Sequence, residues 1–116
     1  MAAALRDREA GLPVTPERQT VEKFLAHWLE AVKPTIRRST FVRYEEYIRL
    51  HTIPIIGGLR LPRLTPQHLQ DLYAQKLSEG LSPTSVRHLH TVLHRALKQA
   101  LRWNLVVTNV SEAVDP

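Results

Sequence analysis

The chain has 116 residues, 43% of them hydrophobic, which is enough for one compact core and not for two. Sixteen Lys and Arg against 11 Asp and Glu give a formal charge of +5 and an isoelectric point near 10.1, a balance that favours a polyanionic partner. The absence of cysteine excludes disulfides, thiolate zinc sites and thiol catalysis together, and no apolar run approaches the roughly 18 residues needed to span a bilayer.

Residues 1–19 mix charges with Gly11, Pro13 and Pro16 and show no sustained periodicity, so a flexible leader is expected there. Its opening, Met1 to Arg6, is too short and too soon charged for a signal peptide, and a cytoplasmic protein without membrane contact is expected. From Thr20 the pattern changes. Val21, Phe24, Leu25, Trp28, Leu29 and Val32 recur at three and four residues, predicting a helix with Thr20 as its cap and Pro34 as its end.

Arg37 to Thr40 opens a second helix with Ser39 or Thr40 as cap, and Phe41, Tyr44, Tyr47, Ile48 and His51 share one side of it. This helix is expected to fail before Pro54, which disfavours helical geometry at Ile53, with a tight bend at Gly57 and Gly58. Leu59, Arg60 and Leu61 read as a short extended link.

A third helix begins where Thr65 can cap and Pro66 occupies the first turn; Leu69, Leu72, Tyr73 and Leu77 face inward, and Gly80 stops it. Ser82 and Pro83 repeat the device for a fourth helix running to about Trp103. Its predicted buried stripe is Val86, Leu89, Val92, Leu93, Ala96, Leu97, Ala100 and Leu101, with Arg87, His90, Thr91, His94, Lys98 and Arg102 on other faces. After Asn104 the Val106, Val107, Thr108 run reads as extended, and no further core-forming element is expected before Pro116. The predicted fold is therefore all-α, a compact bundle of four main helices with room for a short extra helical turn.

Basic residues are concentrated. Lys33, Arg37, Arg38, Arg43, Arg49, Arg60 and Arg63 face only Glu45 and Glu46 in their stretch, and no acidic residue lies between Gly80 and Glu112. Both stretches include helix starts, where free backbone N–H groups and the positive end of the helix dipole suit phosphates. Tyr44, Tyr47 and Tyr73 lie on apolar faces and read as packing residues, and His51 as a core or bend-locking histidine. His90 and His94, four apart, have the spacing of a metal pair, but His88 points elsewhere and neither cysteine nor a His-Glu-x-x-His pattern supports a site, so no metal is expected and the pair reads as solvated or phosphate-facing.

Several of these signals occur in a fixed order: Thr20-Val21 with Phe24-Leu25 and Trp28-Leu29; Thr40 with Tyr44; His51, Pro54 and Gly57 in the spacing His-x-x-Pro-x-x-Gly; Leu64-Thr65; Gly80-Leu81-Ser82; then Ala96, Ala100 and Asn109. In this the chain resembles the core-binding, or SAM-like N-terminal, domain of phage integrases and related tyrosine recombinases. It departs from that pattern at Asn104, where the family commonly has Gly, and at Asn109-Val110, where it has Asn-Pro.

The resemblance implies a core-binding domain over residues 20–108, with residues 109–116 an exit linker toward a catalytic domain and residues 1–19 similar to the linker that follows an arm-site-binding domain. It further implies that the domain grips core-site double-stranded DNA as half of a clamp during integration and recombination. The second and fourth helices would present their N-terminal halves to the major groove. Arg37, Arg38 and Arg43 would flank one start; Ser39, Thr40, Ser82 and Thr84 would add hydroxyls; Arg87, His88 and Thr91 would extend along the last helix, with Lys98 farther down. Arg43, Thr84 and Arg87 are the candidates for reading bases.

No catalytic residue and no cofactor is expected in this chain: none of its six histidines is followed three positions later by arginine, so the family's His-x-x-Arg element is missing. A monomer is expected, whereas family members assemble four protomers on DNA. Two alternatives compete with this reading, a helical protein-interaction module using exposed Trp103 or Tyr side chains and a small self-contained DNA-binding regulator.

Overall fold

In a computed structural model of the chain, residues 18–116 are described, and the expectations placed on residues 1–17 lie outside them. Five α-helical segments form the bundle: α1 (Val21–Val32), α2 (Arg38–Glu46), α3 (Ile53–Ile56), α4 (Pro66–Ser78) and α5 (Pro83–Arg102). Among the described residues there is no strand, only an isolated antiparallel bridge between Thr20 and Arg60. Because α2 and α3 join into one rod, the bundle has four main helices, as the periodicity predicts.

α1 starts as expected, with the Lys23 N–H donating to Thr20 Oγ1 at 3.2 Å, and ends before a 3₁₀ turn that holds Pro34. Its first-turn donors do not face water. Val21 N–H bonds to Leu59 O at 2.8 Å and Glu22 N–H to Gly57 O at 3.0 Å, while Leu61 N–H reaches Gln19 O at 2.8 Å, so the link after α3 is stitched to the start of α1. Gln19 is thus already part of the fold.

The second helix departs from expectation at both ends. Its cap position is Arg37, without a side-chain hydrogen bond, and Ser39 and Thr40 lie inside the first turn rather than capping it. Nor does it fail before Pro54. Residues Tyr47–Thr52 widen into a π-helical segment, in which Ile53 N–H bonds to Ile48 O and Thr52 Oγ1 donates to Tyr47 O at 3.2 Å, and the rod continues through Pro54 to Ile56. A proline inside an α-helix clashes with the carbonyl four residues back, and the five-residue spacing relieves that clash.

α4 has the predicted Thr65 cap, completed by a residue the sequence reading did not use: His68 N–H donates to Thr65 Oγ1 while Thr65 N–H donates to His68 Nδ1, a capping box closed by imidazole. Gly80 adopts φ +104°, with Gly80 N–H on Leu77 O and Leu81 N–H on Lys76 O, the Schellman arrangement. α5 ends the same way with Asn104 at φ 61° in the glycine position, Asn104 N–H on Leu101 O and Leu105 N–H on Ala100 O.

The core gathers the predicted faces: Phe24, Leu25, Leu69, Leu72, Tyr73, Leu89 and Ala96 are sealed from solvent. Two positions are corrected. Leu77 and Leu101 are 44% and 40% exposed rather than inward, since in the last turn of each helix the inward position falls to the preceding residue, Lys76 in α4 and Ala100 in α5. Lys76 takes the inward place beside Leu77, its aliphatic stem buried and its ammonium reaching Glu79 Oε1 at 3.0 Å.

The expectation of no core element after Asn104 is also corrected. A 3₁₀ turn, Val110–Ala113, folds back on the bundle, with Ser111 fully buried and Val114 in the core.

Candidate nucleic-acid interface

α2 and the N-terminal half of α5 lie side by side and leave a shallow groove of about 200 Å³ between them. Ser39, Thr40, Arg43, Tyr44 and Tyr47 line one wall, and His88, Thr91 and Val92 the other. The structure therefore brings together five of the sequence-predicted contact residues, Ser39, Thr40, Arg43, His88 and Thr91. Arg37 and Arg38 are exposed at the adjoining start of α2, while Ser82, Thr84 and Arg87 are exposed at the start of α5 beyond the groove lining. Lys98 lies apart, in a second groove closer to the end of α5.

The two helix starts are not equivalent. At α5, Ser82 Oγ is already occupied, accepting from Ser85 N–H and donating to Ser85 Oγ, both at 3.1 Å. At α2 no side chain caps the first turn, and the hydroxyls of Ser39 and Thr40 make no hydrogen bond among the described residues. Open amides and free hydroxyls at one helix start form an anion-binding surface. Farther along α5, Thr91 Oγ1 donates to Arg87 O at 3.0 Å, and Arg87 Nη2 leans on Thr84 Oγ1 at 3.4 Å, which leaves the rest of its guanidinium free.

Charge pairing sharpens the contrast. Among the described residues Arg49 pairs with Glu45 at 2.7 Å and Lys76 with Glu79 at 3.0 Å, both away from the groove, whereas Arg37, Arg38, Arg43, Arg87 and Lys98 meet no carboxylate. Cations left without internal partners are the ones available to phosphates.

Sequence reasoning missed Arg95. Its Nη1 donates to Tyr44 OH at 2.6 Å, and its guanidinium lies 5.7 Å from the Tyr44 ring, whose other contact is a near-parallel stack on Trp28 with centroids 5.7 Å apart. Arg95 thereby ties α5 to α2 and fixes the width of the groove. The signal was present: Thr84, Arg87, His88, Thr91, Arg95, Lys98 and Arg102 follow one another at helical spacing and share the exposed face of α5.

The histidine pair is corrected from a solvated or phosphate-facing role. His90 Nδ1 meets the buried Tyr73 hydroxyl at 2.9 Å. Burial, and then the neighbouring His94, push the His90 pKa down, and burial pushes the Tyr73 phenol up. Tyr73 is thus a sealed packing residue, consistent with its sequence reading. His94 Nδ1 lies 2.9 Å from Ser111 Oγ. The single hydroxyl hydrogen of Ser111 goes to Asn109 Oδ1 at 2.6 Å, so His94 Nδ1 is the donor, and Asn109 Nδ2 closes the ring on His94 O at 3.3 Å. His51 is half-buried beside Tyr47, and its buried Nδ1 has no hydrogen-bond partner.

Residues 20–78 match the family described as phage integrase, N-terminal SAM-like domain. The chain is 46% identical to the phage integrase SAM-like domain of Moorella thermoacetica, solved in solution, with a TM-score of 0.75 and 90% of each chain covered. It is also 30% identical over 93 residues to an integrase of Saccharopolyspora erythraea and 31% identical over 108 residues to one of Streptomyces ambofaciens. These matches take in 78% and 93% of the chain but only 21% and 28% of the two integrases. In this family the domain is the N-terminal SAM-like part of an integrase, distinct from the part that carries the catalysis. From the helical bundle, the order of its caps and bends, and these matches together, the chain belongs to the phage integrase N-terminal SAM-like domain family.

Proposed function

We propose that the chain grips core-site duplex DNA through the α2–α5 groove, as one half of a clamp completed by the catalytic domain of a longer integrase. The observation that carries this reading is that an uncapped helix start opens on a groove lined by Arg43 and adjoined by Arg37 and Arg38, none of them paired with a carboxylate among the described residues. Phosphates would be held by Arg37, Arg38, the first-turn amides of α2 and the hydroxyls of Ser39 and Thr40, with His88 on the α5 side, while Ser82, expected from the sequence to contribute, spends its hydroxyl on Ser85 as the cap of α5. Arg43, Thr84 and Arg87 carry the exposed polar groups suited to base edges, with Thr91 beside them.

In this reading the domain positions DNA and does not cut it. Strand cleavage, in this reading, belongs to the catalytic domain, where a tyrosine hydroxyl attacks the phosphodiester and arginine and histidine stabilise charge on the phosphorus oxygens. Residues 20–108 carry the DNA-gripping surface, residues 109–114 fold back on the bundle before the chain leads onward, and the protein acts in the cytoplasm as a monomer that reaches a four-protomer state only on DNA.

The test is an NMR titration of labelled protein with a duplex of about 20 base pairs at low and moderate salt, since phosphate-dominated binding weakens steeply as salt rises. Amide shifts concentrated at Arg37 to Tyr44 and Ser82 to Thr91, fading with salt, are expected. An unresponsive spectrum at low salt overturns the reading and favours a protein-interaction module.

A further inference from the structure

Beyond Thr91 the exposed face of α5 continues through Arg95, Lys98 and Arg102, at intervals of three and four residues that stack them on one side of the helix. Together with the C-terminal part of α1 they wall a second groove of about 340 Å³, floored by Trp28 and Trp103 and edged by Thr35. No acidic side chain lines it. Lys98 and Arg102 have no hydrogen bond or ion pair among the described residues. Arg95 is held in place by Tyr44 through one of its five N–H groups, which leaves the others free to bond a ligand. Since Tyr44 lines the first groove and Arg95 the second, this pair is the wall the two grooves share.

We propose that the second groove is a further phosphate seat for duplex DNA, taking the strand opposite the one held in the α2–α5 groove. The inference rests on the DNA-binding reading and extends it to a site of its own. Its geometry follows from helix rise: Lys98 lies ten residues beyond His88 and Arg102 eleven beyond Thr91, about 15 Å along α5. That separation is comparable with the ~12 Å width of the major groove of B-DNA, so a helix laid across that groove meets the phosphates of both bordering strands. The hydrogen-bonded guanidinium of Arg95 sits between the two seats and keeps their spacing fixed, which lowers the ordering cost of binding.

The experiment is fluorescence anisotropy with a labelled duplex of about 25 base pairs over a salt series, on the wild-type chain and three variants. In Lys98→Gln/Arg102→Gln, affinity at about 0.1 M salt is expected to fall at least about ten-fold, and the slope of log K against log salt to become shallower by about 2, while the thermal midpoint stays put. Arg43→Gln tests the first groove. Lys23→Gln/Arg63→Gln removes the same charge from positions that line neither groove and sets the size of a purely global effect. If the Lys98/Arg102 variant shifts no more than that control while the wild type binds and Arg43→Gln weakens it, the second seat is wrong and the DNA reading stands. A wild-type chain that binds no duplex at low salt removes both.

Discussion

Gly57 and Gly58 stand next to each other, but only at Gly57 does the fold require a glycine. Gly57 caps the end of α3 with helical dihedral angles, but a Cβ there would sit 2.6 Å from Ile53 O, backbone that is itself bonded to Gly57 N–H at 2.9 Å and cannot retreat. A Cβ on Gly58 would meet nothing within 4 Å. Gly57→Ala is therefore expected to destabilise the fold by about 1–3 kcal/mol, the range for overpacking, and Gly58→Ala to be near neutral; equal urea midpoints for the two would sink the argument. Asn104 poses the complementary case, a left-handed residue at φ 61° where a side chain is tolerated. Asn104→Gly should move stability by less than about 1 kcal/mol, whereas Asn104→Val should cost about 1–2 kcal/mol, because a β-branched residue fits that conformation poorly. Thermal unfolding of the pair decides it. The caps at Thr20, Thr65 and Ser82 were legible in the sequence because each hydrogen bond closes within three residues. The close approach at Gly57 was not, since it depends on where a carbonyl four residues earlier is carried by a π-helical turn.

At the scale of elements, periodicity identified every main helix and failed where tertiary contacts outweigh it. The rod from Arg38 to Ile56 continues through Pro54 because widening over Tyr47–Thr52 removes the steric conflict, and burial of Ile48, Thr52 and Ile56 supports the irregular turns. Leu77 and Leu101 matched the apolar spacing yet lie outside, since they stand at the edge of that face and the centre of the contact goes to Lys76 and Ala100, one residue earlier. The tail was the larger miss. Its return to the bundle depends on polar residues separated by 15 and 17 positions, His94 with Asn109 and Ser111, and no local pattern announces such a pairing. Ser111 is fully buried at the centre of that ring. Ser111→Ala deletes its hydroxyl and leaves His94 Nδ1 and Asn109 Oδ1 each short of a partner, so a loss of about 1–3 kcal/mol is expected. Faster amide exchange should be confined to Asn109–Val114. Exchange that stays slow in that segment while the rest of the protein loosens would mean that the ring does not hold the tail. For the interface, the basic face of α5 was partly legible from its spacing, but its second groove was not, because α1 supplies the other wall.

Taken as a whole, the molecule keeps the cations of the exposed α5 face apart from the two histidines whose titration burial perturbs, His51 and His90. The exposed face of α5 carries permanent charge, whereas His51 and His90 are withdrawn into the bundle, and that arrangement sets how stability responds to pH. Burial depresses the pKa of both, with Lys76 adding to the effect at His51 and His94 at His90; Glu79 and Asp115 oppose it weakly. Both side chains therefore start from the ordinary value of 6.5 in the unfolded chain and titrate lower in the folded one. Above that value neither state binds the proton and the histidines contribute no pH dependence. As pH falls below it the unfolded chain takes up protons that the folded chain resists, so stability decreases until the folded pKa values are passed. Glu79, whose pKa is lowered chiefly by hydrogen bonds from Gln75 and Lys76, acts in the separate acid range below its ordinary 4.5. Urea unfolding at pH 7 and pH 5 isolates the histidine window, and a lower midpoint at pH 5 is expected. His51→Gln should reduce that difference without disturbing a hydrogen bond, since its buried Nδ1 has none to lose. A midpoint that holds or rises at pH 5 would show that these imidazoles reach solvent freely, and the packing described around α3 and α4 would then have to be looser than the burial of Tyr73 and Lys76 implies.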